Sequence, residues 1–166
     1  MNPTHGATPP HGNPLATARE VALGFLDRRM YSRWELSGRL RRKGFSREVI
    51  EAVLDDLARA GLLDDVAFAR AFASDRVRLA PRGYVRILQE LRGRGVDRAD
   101  AERAVRQIEE EHPEPEVARA FLASRARRLE GLDDETRRRR TMTWLRGRGF
   151  RTETIFRMAD EDPDID

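Results

Sequence analysis

The segment LRGRGF at residues 145–150 combines glycines, arginines and a bulky apolar residue, the types from which a phosphate-cradling loop is built. Glycine lets backbone N–H groups approach an anion, and guanidinium groups neutralise it. The hexapeptide has two counterparts. LRRKGF stands at 40–45 and LRGRGV at 91–96, so equivalent glycines fall at Gly44, Gly95 and Gly149, about 50 residues apart. A nucleotide loop is normally single, and a Walker loop needs GxxxxGKS or GxxxxGKT after a strand. Neither condition is met. Recurrence at this period marks an internal repeat.

Other residues invite chemistry and are better explained without it. The carboxylate pairs Asp55-Asp56, Asp64-Asp65 and Asp133-Asp134 have no partner ligands at helical spacing, and helix N-capping accounts for the last two. His5, His11 and His112 are scattered. With zero Cys there is no thiolate metal site, disulfide framework or cysteine nucleophile. No serine sits in a nucleophile-elbow pattern. No catalytic residue, cofactor, metal or small-molecule substrate is expected, and the chain is not expected to be an enzyme.

The arginines carry the remaining signal. Net charge is +3, and Lys43 is the only lysine. A GC-rich genome explains arginine in bulk but not its placement. Three residues before each repeat glycine stand Arg41, Arg92 and Arg146; one before stand Lys43, Arg94 and Arg148. Two readings are open. Cations at a helix C-terminus gain about 0.3–1 kcal/mol from the helix dipole. Cations recurring along a repeat also form a rail for a polyanion, nucleic acid first. The run Arg137, Arg138, Arg139 and Arg140 is either solvated surface or a contact to nucleic acid or an acidic partner. Trp144, five before Gly149, aligns with Arg39 and Glu90 and so belongs at the periphery, where it packs locally or stacks on a base or a partner. Trp34 and Tyr84 are weaker candidates of the same kind.

These side chains must be held by helices. Six residues after each glycine come Ile50, Ala101 and Ile155, and nine after come Val53, Ala104 and Met158. The first two repeats continue with Leu54 and Val105, then Leu57 and Ile108, which is one apolar stripe of an α-helix. Each glycine therefore ends one helix as a left-handed cap and precedes another. Ser46 and Asp97 are placed to N-cap the next helix, and Ser32 with Glu35 forms a capping-box pattern. A further helix precedes each pair. Its shared pattern runs to Phe25, Phe72 or Phe121, followed four residues on by Arg29, Arg76 or Arg125. The three glycines and three phenylalanines are read as structural. The expected organisation is a tail at 1–15, three-helix repeats at 16–61, 62–111 and 112–160, and an acidic tail at 161–166. Units of this size bury little core alone and should stack into an elongated array.

No apolar run approaches the roughly 18 residues of a membrane span, and the N-terminus lacks a signal-peptide pattern. A cytoplasmic protein with no membrane partner is expected.

The same residues resemble the RecX family of regulators of the bacterial RecA recombinase. GLLDDVAFARAF at 61–72 with Arg76, and SRWELSGRLRRKGFSREVIEAVLDDL at 32–57, are the strongest pieces. YVRILQELRGRGV at 84–96 and WLRGRGFRTETI at 144–155 are similar to the second and third repeats of that family. Ala80-Pro81-Arg82-Gly83 departs from the G-x-G-like turn of the pattern. The resemblance implies an all-α, curved array of three three-helix repeats. It implies binding to RecA and its filament on DNA, mainly inhibition of ATPase, strand exchange and co-protease activity, and damping of recombination and the SOS response. It also implies weak DNA binding, single- or double-stranded, without sequence preference, and no cofactor. The alternative from another class is a stand-alone helix-turn-helix-like DNA-binding regulator. Carboxylates at Glu48, Glu51, Asp55, Asp56, Asp100, Glu102, Glu109, Glu110 and Glu111 on the third helices oppose that reading, because phosphates repel them.

Overall fold

The computed structural model describes residues 13–161, and among these the regular structure is entirely helical. The first three-helix set is α1 (Pro14–Leu26), α2 (Arg33–Arg42) and α3 (Arg47–Arg59). The second is α4 (Asp65–Arg78), α5 (Tyr84–Arg92) and α6 (Arg98–Glu111). The third is α7 (Glu114–Ala123), α8 (Asp134–Arg148) and α9 (Thr152–Asp160), with a 3-10 turn at Ala126–Arg128 between α7 and α8.

The helix starts follow capping chemistry. Ser46 Oγ accepts from Val49 N, Asp97 from Ala99 N, Asp64 from Val66 N and Ala67 N, and Asp133 from Thr136 N. α1 begins at Pro14, earlier than the expected end of the tail at residue 15, because Asn13 caps it and proline suits the first turn. The rest of that tail lies outside the described residues. At the other end Glu161 is tied to Arg119 at 2.9 Å, so the first residue assigned to the acidic tail belongs to the folded part. Residues 162–166 lie outside the described residues. The capping box at Ser32 forms only in part: Ser32 Oγ accepts from Glu35 N, while the Glu35 carboxylate turns to Arg29 and Arg94.

The chain divides into two compact units. One runs to Phe68 and includes Arg94–Val96; the other comprises Ala69–Gly93 and the chain from Asp97. In the first, α1, α2 and α3 pack on one another around Ala18, Ala22, Leu36, Leu40, Ile50, Leu54 and Leu57. In the second, α5 packs on α6 and both α7 and α8 pack on α9. Its core includes Tyr84, Ile87, Leu91, Ile108, Phe121, Leu145 and Ile155. The apolar stripes read after each glycine are buried in α3, α6 and α9. Phe121 is buried, whereas Phe25 and Phe72 are half-buried.

Each unit contains a clasp of the same design. In the first, the side chain of Ser32, at the start of α2, donates to Arg94 O at 2.6 Å, and Asp65 accepts from the α2 amide of Arg33 at 2.7 Å. In the second, Gly83, at the start of α5, donates its amide to Arg148 O at 3.0 Å, and Glu114 accepts from the α5 amide of Tyr84 at 3.0 Å. So the N-terminus of a second helix is seated on the backbone just before a later repeat glycine and capped by a carboxylate from a following first helix. Orphan amides of the first turn are satisfied in this way. Glu114, only 2% exposed, also accepts from Arg151 N and Thr154 Oγ1, which caps α9.

Candidate nucleic-acid interface

The repeat glycines end their helices left-handed, with φ of +89° at Gly44, +74° at Gly95 and +75° at Gly149. LRGRGF is thus the last turn of α8 and its cap. The basic residues beside the glycines sit at helix C-termini, where the dipole favours them.

Burial then separates the two arginine positions. Arg41, Arg92 and Arg146, three before each glycine, are all exposed, and among the described residues none of their guanidinium groups enters an ion pair or hydrogen bond. The position one before is mostly occupied internally. Arg94 is half-buried against Glu35, and Arg148 is half-buried with its guanidinium 5.1 Å from the Phe121 ring. Lys43 alone of that set is exposed without an ion pair among the described residues.

The reason is helical phase. Residues eight and four before each glycine, namely Leu36 and Leu40, Ile87 and Leu91, Thr141 and Leu145, are buried. The opposite face carries the residues ten, six and three before. These are Trp34, Gly38 and Arg41 on α2; Val85, Gln89 and Arg92 on α5; Arg139, Thr143 and Arg146 on α8. Each second helix therefore presents an outward stripe ending in an unpaired arginine. Alignment on the glycine with a period of 3.6 residues would have found Val85, Gln89 and Thr143, which motif reading missed.

The run at 137–140 divides by the same phase. Arg137 pairs with Asp134 and donates to Leu132 O, closing the turn before α8. Arg138 reaches Asp160 at 2.9 Å and joins α8 to α9. Arg140 donates to Arg128 O at 3.3 Å, bracing the 3-10 turn. Arg139 is exposed and, among the described residues, its guanidinium enters no ion pair or hydrogen bond, though its charge reaches Asp133.

The aromatic candidates change order. Trp144 is half-buried, as its peripheral alignment requires, while Trp34 is 59% exposed and the more accessible platform. Tyr84 is corrected from surface candidate to core. It is fully buried, its hydroxyl donates to His112 O at 2.6 Å, and burial, with the charges of Glu109 and Glu114, pushes that hydroxyl well above its usual pKa. Tyr84 starts α5, and the clasp that seats that helix is what takes the ring inside.

Other titratable groups serve the fold. Burial would raise the Glu90 carboxyl, but hydrogen bonds from Arg76 and Arg86 and the charge of Arg82 outweigh it and hold the group below its ordinary value. Arg76 and Arg125, the arginines after Phe72 and Phe121, lie 4.5 Å and 4.0 Å from those rings, whereas Arg29 lies over Tyr31 at 3.6 Å. Among the described residues there is no group of three or more metal-ligating side chains. None of the described helices is long and apolar enough to cross a membrane.

Family models of RecX match in order along the chain: its first three-helix domain over residues 18–57, its second over 64–105 and its third over 113–158. The chain belongs to the RecX family. Relatives named regulatory protein RecX include that of Prosthecochloris aestuarii, 39% identical over 84% of this chain and 89% of its own length. The Chlorobium limicola protein is 33% identical over 90% of this chain and 94% of its own, and the Thermobifida fusca protein 36% identical over 89% and 79%. Among solved structures, RecX from Lactobacillus salivarius superposes with a TM-score of 0.77 at 19% identity, covering 87% of this chain and 94% of that one. A second RecX crystal structure gives 0.79 at 24% identity, over 89% and 74%. Those likenesses establish the three-domain helical fold, and the sequence relatives establish a regulatory protein.

Proposed function

We propose that this chain binds a RecA-type recombinase, alone and as a filament on DNA, and acts mainly by inhibiting ATP hydrolysis, strand exchange and co-protease activity. Recombination and the SOS response are damped as a result. The protein acts in the cytoplasm as a regulator and not as an enzyme, without cofactor, metal, membrane partner or small-molecule substrate. The observation that carries this reading is the in-order match of all three RecX domains across nearly the whole folded chain.

The stripes of α2, α5 and α8 suit a nucleoprotein partner. Each ends in an arginine with no carboxylate to satisfy it among the described residues, and repeated weak contacts add through effective concentration. Contact through guanidinium and phosphate is sequence-indifferent and applies to single and double strands alike. In this reading the nucleic-acid contacts are Arg41, Lys43, Arg92, Arg139 and Arg146, while Arg94, Arg137, Arg138, Arg140 and Arg148 hold the helices that present them.

A stand-alone helix-turn-helix regulator fits less well. The outward faces of α3 and α6 carry exposed Glu48, Glu51, Asp55 and Glu110, which phosphates repel. The test is a recombinase ATPase assay on single-stranded DNA, paired with co-sedimentation of the chain with the filament. Inhibition with co-sedimentation supports the proposal. Absence of both, in a sample that is helical and folded, overturns it.

A further inference from the structure

The outward stripe of α2 differs from its two counterparts. Where α5 has Val85 and Gln89, and α8 has Arg139 and Thr143, α2 has Trp34 and Gly38. Trp34 is 59% exposed, so burial does not explain an indole there. Its root is nonetheless fixed: a Cβ added to Gly95 would come within 2.3 Å of Trp34 Cβ and 2.5 Å of Cγ, so the side chain leaves the helix against that backbone.

Gly38 is the second anomaly. A glycine inside a helix is unfavourable relative to alanine, and is kept where something approaches closely. Among the described residues nothing does, since a Cβ at Gly38 would meet no atom of theirs within 4 Å. Gly38 lies one turn after Trp34, so a side chain there would stand beside the indole. Arg41 and Arg42 follow on the next turn. Arg42 Nε donates to Gly38 O at 3.1 Å, which draws that guanidinium alongside the gap. Arg41 is exposed, with no ion pair among the described residues. Trp34, Gly38, Arg41 and Arg42 line one open groove with Arg29, Arg39 and Glu35, whose carboxylate is already paired with Arg29 and Arg94.

We propose that Trp34, Gly38 and Arg41 form a stacking subsite for one unpaired base of single-stranded nucleic acid, with the adjoining phosphate on Arg41 and Arg42. The inference rests on the reading of the stripes as nucleic-acid contacts, and adds which kind of strand is taken and where. An open aromatic face accepts any base, and cations two turns along the same helix accept the backbone. A duplex keeps its bases within its own stack and has none to offer. An acidic peptide would use the arginines but would have no need of the notch beside the indole.

The chain has two tryptophans, so Trp144→Phe leaves Trp34 as the sole indole reporter. That variant is titrated with oligothymidine, an abasic oligonucleotide of equal length, a duplex and polyglutamate. Anisotropy of labelled probes reads binding, and indole fluorescence reads stacking. Oligothymidine should quench Trp34, while abasic strand and duplex bind with little quenching. Gly38→Leu, which favours the helix, and Trp34→Ala should each weaken oligothymidine binding about tenfold and leave abasic binding unchanged. Equal quenching by abasic strand or polyglutamate, binding of oligothymidine without quenching, or full affinity in Gly38→Leu would each overturn the subsite. So would failure to bind any of the oligonucleotides. Recombinase ATPase inhibition by the same variant, measured in parallel, reports separately on the regulatory reading, which stands if inhibition persists while the subsite fails.

Discussion

Gly44 and Gly149 close second helices with the same motif and the same left-handed backbone, yet their surroundings differ. Among the described residues, a Cβ at Gly44 would meet nothing within 4 Å. A Cβ at Gly149 would lie 2.4 Å from Arg86 Cβ and 2.9 Å from Arg86 N, because the first turn of α5 rests on it. Gly95 resembles Gly149, with Trp34 of α2 in the place of Arg86. The motif thus meets two demands. All three glycines provide a positive φ, and the latter two also make room for the N-terminus of a second helix in a clasp. Among the described residues no clasp closes over Gly44, and there that glycine carries the conformational demand alone.

Replacing each by alanine separates the demands and should give the largest effects. At Gly44 the left-handed cost alone applies, about 1 kcal/mol. At Gly149 overpacking against a backbone amide adds about 1–3 kcal/mol. Chemical denaturation should therefore rank Gly149→Ala well below Gly44→Ala in stability, with Gly95→Ala close to Gly149→Ala. Equal losses at Gly44 and Gly149 would mean that the clasp yields without resistance.

The clasp carboxylates come next. Glu114 is 2% exposed and accepts from Tyr84 N, Arg151 N and Thr154 Oγ1. Glu114→Gln replaces one acceptor oxygen with a donor facing buried N–H groups, at a cost of about 2 kcal/mol. Asp65 is less buried, so Asp65→Asn should cost about half as much. Amide exchange localises the effect: protection should fall at the N-termini of α5 and α9 in the first variant and of α2 in the second.

Much of this fold could be read from the chain. The helix pairs, their caps at Ser46 and Asp97 and the buried faces of α3, α6 and α9 follow from periodicity and local chemistry, which residues near in sequence determine. The clasps were not legible. Gly83 has an ordinary φ, and nothing near it in sequence demands a glycine; a Cβ there would lie 2.1 Å from Gly149 O, far along the chain. Glu114 carried no signal in the sequence, and Tyr84 read as a surface aromatic, because their partners are tertiary. The candidate site's geometry was legible in part. Spacing from the glycine found the basic positions, but only the phase of each helix against its core separates Arg41, Arg92 and Arg146 from Arg94 and Arg148.

A smaller stability effect follows from Glu90. Burial opposes its ionised form, but Arg76, Arg86 and Arg82 hold its pKa below the ordinary 4.5. A carboxylate lowered on folding stabilises above its unfolded pKa, and that contribution is lost as pH falls through the lower folded value. Acid titration of Glu90→Gln should therefore show a shallower loss of stability below about pH 4.5 than the parent chain. Matching acid limbs would remove Glu90 from the account of the second unit.

The smallest expected change in stability carries the largest functional consequence, and it tests the division between outward and inward arginines. Arg41, Arg92 and Arg146 face solvent, so changing them together to Gln should alter stability by only a few tenths of a kcal/mol each, the exposed share of the dipole contribution. Each lost phosphate contact should lower the salt slope of nucleic-acid binding by a little under one unit, and recombinase inhibition should weaken stepwise as the changes accumulate. Arg94→Gln and Arg148→Gln should behave in the opposite sense. They remove one of the two partners of Glu35 and one of the two cations over Phe121, at about 0.5–1 kcal/mol each, and leave the salt slope where it was. Salt-dependent binding and denaturation, run on both sets, form a crossed design. If the outward set costs stability and the inward set lowers the slope, the phase argument is reversed. If the outward triple variant folds normally and still inhibits at parental concentration, the arginines only cap their helices. The inhibitory surface would then be sought on the acidic faces of α3 and α6, where exposed Glu48, Glu51 and Glu110 suit a basic protein partner instead of a phosphate backbone.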